Sequence, residues 1–419
     1  MRCTGHTERA SRAESHMSSI QVPFRRAQVA IAALFLFLGF QYATWVSRLP
    51  ALKAHLDLDE AQVGLLLMAG GAGAVASFPL VPTVMKRLGS RLLSLVSAAA
   101  LVVVLLLLAV APNYPVTLLL ICLDGVAVGF LNVAMNAQGA ALEAAYERTV
   151  MARFHATFSA GSLTAALLAS GVNAFSSSLA VHFGAATVLL VLVVGLTQGG
   201  LLTEDRQATP APVQDEQPAE ALPAGEQPAK GGRRLTLPSR AVLWMGLAMV
   251  FGTVTEGAMN DWSTLYMKDV AEASPGVAPL GIAMVSGMMV LARIFADGWR
   301  ARWGDGRIVV AGAALAGAGL AAALLAGGVA PALIGFACVG LGVAAVTPCV
   351  YVAAARQGPE ALSLVAAMGT VGLLAGPALI GFIAGGSSLV WGMGAVAVSA
   401  GLVSLCATRI RWTTLVKAA

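Results

Sequence analysis

Residues Thr203 to Arg234, "TEDRQATPAPVQDEQPAEALPAGEQPAKGGRR", interrupt a chain that is otherwise strongly apolar. Hydrophobic residues make up 58% of the 419 residues and charged residues only 11%, whereas soluble domains carry about 25% charged residues. Pro, Glu, Gln and Ala dominate the interrupting stretch, and such a segment forms a flexible tether because it cannot bury a core. The composition therefore predicts two membrane-embedded halves joined by a polar linker.

The apolar runs on both sides of the linker have the length of membrane spans. About 20 apolar residues cross a hydrocarbon core of roughly 30 Å, and six such runs precede the linker and six follow it. The predicted spans are 27–49, 61–85, 92–111, 116–140, 154–175, 180–202, 241–267, 279–299, 308–328, 331–355, 363–385 and 389–409. The predicted domains are a disordered N-terminus (1–26), an N-terminal six-helix bundle (27–202), a linker (203–240), a C-terminal six-helix bundle (241–409) and a tail (410–419).

Basic residues are distributed unevenly between the two sides of this arrangement. With both termini on one side, 22 of the 26 Lys and Arg residues fall on that side, Arg48, Lys53 and Lys268 fall on the other, and Arg293 lies inside the eighth span. Cytoplasmic loops carry the excess of basic residues. The sequence therefore predicts a multi-pass protein of the plasma (inner) membrane with a cytoplasmic N-terminus, linker and tail. The net charge of +5 then faces anionic membrane lipids, and no nucleic-acid partner is implied.

The two halves repeat one pattern in the same order. Trp45 is followed 19 residues later by Gly64, and Trp262 is followed 19 residues later by Gly281. A short basic loop comes next in each half, "MKRLGSR" in the first and "RARWGDGR" in the second. Six plus six spans with parallel halves and a long middle loop resemble the major facilitator superfamily. The resemblance implies an all-α integral membrane protein with twelve transmembrane helices in two pseudo-symmetric six-helix bundles.

Two segments are similar to the fucose-permease-like branch of that superfamily. They are "GFQYATWVSRLPALKAHLDLDEAQVGLL", the passage from the first span to the second, and "GFLNVAMNAQGAALE" in the fourth span. The acids of that branch are absent at two positions, which hold Val46 and Asn132, and Lys86 replaces the Asp of the superfamily's loop signature. The resemblance implies a monomeric secondary transporter that works by alternating access, with the first, fourth, seventh and tenth spans around a central cavity.

The seventh span carries two acids within "TEGAMNDWSTLYM", Thr255 to Met267. An ionisable residue deep in a bilayer is costly and usually faces the bundle interior or a cavity. Glu256 lies roughly 22 Å along the span, near the midplane, and Asp261 lies roughly 7 Å further. We expect these acids to couple transport to protons, Glu256 first and Asp261 second. The alternative for each acid is an interhelical hydrogen bond or ion pair that only fixes the helix.

Polar and aromatic residues on the cavity-lining spans, and one at the start of the fifth, are the candidates for substrate binding. They are Gln41, Tyr42, Trp45, Asn132, Asn136, His155, Asn260, Trp262 and Tyr351. Trp45 and Trp262 either stack on a ring of the substrate or anchor the helices at the membrane interface. His155 either contacts the substrate, since imidazole donates and accepts hydrogen bonds, or caps its helix.

Four charged residues are expected to form gating or structural ion pairs. Arg48 of the first span is predicted to pair with Asp124 of the fourth, which would neutralise both charges in a low dielectric. Arg293 and Asp297 are spaced i, i+4 in the eighth span, a spacing that places both on one helix face.

Several classes of function lack their sequence motifs. No G-x-x-x-x-G-K-[ST] phosphate loop is present, which disfavours a primary pump, and no HExxH spacing or Cys/His cluster indicates an enzyme, a metal site or a cofactor. The leading hypothesis is a proton-coupled transporter of a small polar solute such as a sugar. The alternatives are efflux of varied compounds past an adaptable Met-rich surface, and a transport-fold sensor that binds its solute without moving it.

Overall fold

The computed structural model describes residues 22–148, 150–203 and 239–412. Within these ranges the side chains of Ala152, Asp297 and Pro359 are not described. The predictions for the N-terminus up to residue 21, for the linker from 204 to 238 and for the tail from 413 lie outside the described residues.

The described residues form fourteen α-helices. They are α1 (Phe24–Val46), α2 (Leu49–Leu56), α3 (Glu60–Ser77), α4 (Val81–Leu108), α5 (Tyr114–Tyr146), α6 (Met151–Phe175), α7 (Leu179–Thr197), α8 (Arg240–Asp269), α9 (Leu280–Trp303), α10 (Asp305–Ala326), α11 (Val329–Val343), α12 (Val346–Ala355), α13 (Pro359–Gly386) and α14 (Leu389–Arg409). Ten segments are long and apolar enough to cross a membrane, with α11 and α12 counted as one. Together with α3 and α9 they correspond to the twelve predicted spans, and the predicted all-α membrane fold is confirmed.

Consecutive spans run in opposite directions, so the molecule has two ends. We call the end at which α1 and α8 begin the first end, and the end at which they finish the second end. At the second end Lys53 of α2 contacts Asp269 at the end of α8. At the first end Tyr146, the last residue of α5, donates a hydrogen bond to the carbonyl of Val22 just before α1.

A short helix that the span pattern did not predict lies at the second end. Helix α2 follows α1 directly and has Pro near its start, a position where the backbone N–H would have no helical partner in any case. The helix ends at Asp57, whose backbone is in the left-handed conformation with φ 51°. Asp59 then caps α3 by accepting from the Gln62 backbone N–H at 2.7 Å, and the Gln62 side chain accepts from the Asp59 N–H. This reciprocal cap satisfies two orphan donors and determines where the chain turns back.

The two basic loops share one backbone feature at the first end. Gly89 in "MKRLGSR" has φ 73° and interrupts α4, and Gly304 in "RARWGDGR" has φ 80° between α9 and α10. Both values lie in the left-handed region that glycine adopts without steric cost. The repeat seen in the sequence therefore includes equivalent turns in the two halves.

The tenth span is broken into two helices. Its two parts, α11 and α12, are separated at Ala344 and Ala345. Pro348 explains the break, because a proline ring clashes with the carbonyl four residues earlier, here that of Ala344. The break lies beside the predicted binding residue Tyr351, which is 6% exposed in α12.

The two halves meet along two pairs of helices, α3 with α13 and α6 with α9. Glycine permits the first contact. A Cβ on Gly381 would lie 2.7 Å from the Cα of Gly64 and 2.7 Å from the carbonyl oxygen of Glu60. Small residues let helix backbones approach closely inside a membrane, and here they do so across the boundary between the halves.

Candidate functional site

Two consecutive residues of α1 hold two buried acids from different helices. Gln41 Nε2 donates to Asp124 Oδ1 of α5 at 2.8 Å, and the Tyr42 hydroxyl donates to Asp261 Oδ1 of α8. Asp124 is 3% exposed and Asp261 is 4% exposed. We refer to Gln41, Tyr42, Asp124 and Asp261 as the central polar site.

Helix geometry explains how neighbouring residues reach two different helices. Consecutive side chains on a helix point about 100° apart, so α1 directs Gln41 towards α5 and Tyr42 towards α8. Asp124 lies about 15 Å from the start of α5, and Asp261 lies about 12 Å from the end of α8, both measured from the second end. The two acids are therefore at similar depth on two different sides of α1.

The predicted ion pair between Arg48 and Asp124 is wrong. Asp124 accepts from Gln41, whereas Arg48 Nη2 donates to the backbone carbonyl of Ser177, between α6 and α7. Arg48 lies seven residues beyond Gln41, or about 10 Å along the chain at helical rise. Asp124 and Arg48 therefore each bind a partner other than the one predicted.

A second polar cluster joins three helices near mid-depth. Arg293 of α9 lies 3.6 Å from Glu256 Oε1 of α8, measured from Nη2, and Arg293 Nη1 donates to Ser159 Oγ of α6 at 2.7 Å. The two charged side chains are 24% and 29% exposed. The predicted partner of Arg293, Asp297, has a side chain outside the described residues. Arg293 thus links the two halves, a role that its spacing to Asp297 did not indicate.

The acids of α8 therefore have different surroundings. Glu256 has a cation next to it, which offsets its negative charge in the low-dielectric interior. Asp261 is more deeply buried, and the partner that we identify for it is the neutral hydroxyl of Tyr42. Sequence position alone placed Glu256 first as the coupling acid, because it is nearer the midplane.

The predicted substrate-binding residues outside the central polar site lie on five helices, α1, α5, α6, α8 and α12. Asn132 and Asn136 of α5 are half-buried and joined to each other, with Asn136 Nδ2 donating to Asn132 Oδ1 at 2.9 Å. Asn260 is half-buried on α8, and Tyr351 is buried on α12. His155 packs edge-on against Phe35, with ring centroids 5.1 Å apart.

Trp45 and Trp262 are enclosed in the protein. They are 3% and 0% exposed, and neither indole N–H has a hydrogen-bond partner among the described residues. Trp45 contacts the ring of Tyr42 edge-on, with centroids 5.8 Å apart. Such burial is not that of an interfacial belt, whose residues keep their polar edge in contact with headgroups.

The second end is closed by contacts between the halves. Lys53 Nζ lies 2.9 Å from Asp269 Oδ2 of α8 and 2.9 Å from Glu60 Oε1 of α3. Nearby, Ser170 Oγ donates to the Gly276 carbonyl, and Asn173 Nδ2 donates to the Pro275 carbonyl at 3.0 Å.

Lys53 keeps its charge in this contact. Burial lowers the pKa of Lys53, but its hydrogen bonds to Asp269 and Glu60 outweigh that effect, and the pKa is raised overall. Sequence reasoning placed Lys53 on the outer side but did not find its partners. The sequence offered one signal for the importance of Lys53, which is that few other basic residues lie on that side.

The twelve spans of the described residues, in two halves with the buried acid Asp261 at the boundary between them, are typical of a membrane transporter of the two-bundle type. The family model of the Major Facilitator Superfamily matches residues 29–362. The chain belongs to this superfamily, and it is a secondary transporter.

Relatives of similar length support the assignment. An uncharacterised MFS-type transporter of Yersinia pestis is 30% identical over 393 residues, which cover 91% of this chain and 95% of that protein. An uncharacterised transporter of Sinorhizobium fredii is 30% identical over 376 residues, with 88% and 93% covered. Membrane protein MosC of Rhizobium meliloti is 30% identical over 360 residues, with 85% and 83% covered.

Solved structures share the fold. Two crystal structures of the nucleoside transporter NupG, one of them of a mutant, superpose with TM-scores of 0.64 and 0.65. Each match covers 92% of this chain and 98% of the NupG chain, at 12% and 14% sequence identity respectively.

Proposed function

We propose that this chain moves a small polar, sugar-like solute across the membrane by alternating access, coupled to protons, and that Asp261 is the principal proton carrier. The observation that carries the proposal is the burial of Asp261 between α8 and Tyr42 of α1, where its identified partner is a neutral hydroxyl. Glu256, which the sequence placed first, becomes an acid whose charge Arg293 balances.

The cost of burying a charge supports this role for Asp261. A charged side chain at membrane depth costs about 2.5–3.5 kcal/mol on insertion scales, and a single hydrogen bond from a neutral group recovers only part of that cost. Binding a proton removes the charge. Asp261 therefore gains more from protonation than Glu256, which lies beside Arg293.

The position of Asp261 connects its protonation to the movement of the two halves. Its partner Tyr42 is in the other half of the chain, and both lie on the second-end side of the molecule. When the halves separate at the second end, α1 moves away from α8 and Asp261 meets water from that side. When they close, Asp261 is again shielded. Alternating access thus changes the exposure of one titratable group.

Asp124 has a different role in this proposal. It bonds Gln41 within the N-terminal half, so separation of the halves does not break that contact. We assign it to the orientation of α1, which keeps Tyr42 directed at Asp261.

The solute is expected to bind beside these residues on α5, α8 and α12. Asn132, Asn136, Asn260 and Tyr351 provide amide and hydroxyl groups for substrate hydroxyls. All of these groups belong to one chain, so a monomer suffices. The basic residues at the first end, Lys86 and Arg87 among them, support our proposal that this end faces the cytoplasm across a plasma (inner) membrane.

Transport assays on the full chain in proteoliposomes test the proposal. Counterflow of labelled sugars and polyols measures exchange without a driving force, and accumulation under an imposed pH gradient measures coupling. We expect Asp261→Asn to retain counterflow and to lose accumulation, while Asp124→Asn retains accumulation at a reduced rate.

Each part of the proposal can fail separately. Accumulation by Asp261→Asn equal to that of the unmodified chain would exclude Asp261 as the carrier. Saturable binding of a sugar without counterflow would instead indicate a sensor. Counterflow only of bulky apolar compounds would favour efflux.

A further inference from the structure

A buried basic cluster lies at the second end, separate from the central polar site. It consists of Arg48, at the junction of α1 and α2, and His182, in the first turn of α7. Arg48 is 2% exposed and His182 is 0% exposed. Arg48 Nη2 donates to the carbonyl of Ser177, which lies five residues before His182 and just before the start of α7, so both side chains lie at the same end of α7.

The cluster has hydrogen-bonding groups without partners among the described residues. Arg48 Nη2 donates to the Ser177 carbonyl, but Arg48 Nε and Nη1 have no partner. Both ring nitrogens of His182 and the hydroxyl of buried Ser47 also lack one. Buried polar groups are almost always hydrogen-bonded, so several unmet groups at one place indicate a ligand that the protein does not itself supply.

The backbone adds to the positive potential at this place. The side chain of Ser178 caps α7 by accepting from the Val181 N–H, and the cluster contacts the chain at the adjacent residue, Ser177. The N-terminus of a helix carries about half a positive charge and attracts anions. The carbonyl of Ser177 satisfies one N–H of Arg48 and leaves the guanidinium charge without a full negative counterpart.

We propose that Arg48, His182 and the N-terminus of α7 bind a small inorganic anion of the size of chloride. The enclosure of both side chains excludes larger ligands such as lipid headgroups. The anion would neutralise Arg48 and hold the end of α1 against the start of α7. This site is distinct from the substrate site, because Arg48 lies about 10 Å along α1 from Gln41, beyond the central polar site.

Thermal unfolding of the purified full chain in detergent tests the proposal. Tm is measured while chloride replaces gluconate at constant ionic strength, so that only the identity of the anion changes. An anion that binds only the folded state raises Tm, and the rise follows the occupancy of the site. We expect a rise of about 2 °C at a chloride concentration ten times the Kd. Bromide and nitrate should reproduce the rise, whereas the large anion gluconate should not.

Variants assign the effect to the cluster. Arg48→Gln is expected to abolish the chloride-dependent rise, and His182→Asn is expected to raise the chloride concentration of half-effect at least fivefold. Arg91→Gln is the matched control, because Arg91 also donates to a backbone carbonyl, that of Gln198 at 2.8 Å, but is only half-buried. It should keep the full rise.

Two results would overturn the proposal. One is an unmodified chain whose Tm is the same in chloride and gluconate, which requires no variant and is informative even if Arg48→Gln fails to fold. The other is a chloride-dependent rise that persists undiminished in Arg48→Gln, which would place the anion elsewhere. The experiment measures Tm and not transport of the solute, so a failure of the anion site and a failure of the proposed function can be told apart.

Discussion

The hydroxyl of Tyr42 donates a hydrogen bond to Asp261 and thereby joins α1 of the N-terminal half to α8 of the C-terminal half. The adjacent residue, Gln41, binds Asp124 within its own half. Helix α1 therefore connects a fixed contact with one that must break when the halves separate. The first prediction concerns that breakable contact.

Tyr42→Phe removes the donor and leaves the Asp261 carboxylate without it. While Asp261 is ionised, this hydrogen bond to a charged group contributes about 1.5–3 kcal/mol, so in that state the closed second end should become roughly 10- to 100-fold less populated relative to the open one. The measurement is the labelling rate of Asn173→Cys, which lies in the contact between the halves, in a background without the native cysteines. Tyr146→Phe is the control, because the Tyr146 hydroxyl bonds the Val22 carbonyl, away from the boundary between the halves. Equal labelling rates in the Tyr42→Phe and Tyr146→Phe backgrounds would contradict the prediction.

Arg293 and Glu256 should show coupled effects on stability. Glu256→Gln leaves a cation and Arg293→Gln leaves an anion without its partner, and each should lower stability by about 1–2 kcal/mol after allowance for their partial exposure. The double variant Glu256→Gln/Arg293→Gln removes both charges and should be more stable than the sum of the single effects implies. The measurement is a double-mutant cycle, in which Tm in detergent is compared for the unmodified chain, the two single variants and the double variant. Strictly additive losses of stability would show that the pair does not interact.

The Lys53 contact should keep the second end closed over a wide pH range. A raised pKa in the folded state means that the contribution of Lys53 is complete below its unfolded pKa of about 10.4 and is lost only as the pH rises through the higher folded pKa. Labelling of Asn173→Cys, corrected for thiolate ionisation with an exposed reference cysteine, should therefore show no Lys53-dependent opening between pH 6 and 9. Lys53→Met should increase labelling throughout that range, because Glu60 and Asp269 lose the cation that they share. An increase in labelling confined to alkaline pH would contradict a role for charged Lys53 in closing the second end.

Gly381→Val should prevent closure of the second end. Its added Cβ would lie 2.7 Å from the Cα of Gly64 and 2.7 Å from the Glu60 carbonyl oxygen, so α3 and α13 could not approach as they do here. We expect counterflow to fall at least tenfold and labelling at the second end to rise. Gly386→Ala on the same helix is the matched control, since its Cβ would meet nothing within 4 Å; normal counterflow by Gly381→Val would show that this approach is not required for transport.

The periodic features of the chain could be predicted because each depends on local sequence. Apolar runs of about 20 residues require helices wherever water is absent to bond the backbone, and the twelve spans follow from them. The break between α11 and α12 has an equally local cause in Pro348. The short helix α2 was missed because its eight residues are too few to form a span.

The partners of the charged residues could not be predicted in the same way. Arg48 and Asp124 were paired on the basis of their opposite charges, yet Arg48 bonds Ser177 and Asp124 bonds Gln41. Arg293 contacts Glu256 and Ser159 on two other helices, and its spacing to Asp297 along α9 indicated neither of these partners. A contact between helices depends on how each helix is rotated and how far apart the axes lie, and neither quantity is contained in the spacing along one chain segment.

The sequence by itself determined that this protein spans the membrane in two repeated halves, because hydrophobic length and the order of turns are properties of the chain taken segment by segment. Only the tertiary structure decided which acid is buried beside a neutral partner and which is balanced by a cation. Asp261 and Glu256 are five residues apart on one helix, and the difference between them arises from the helices that face them, α1 with Tyr42 in one case and α9 with Arg293 in the other.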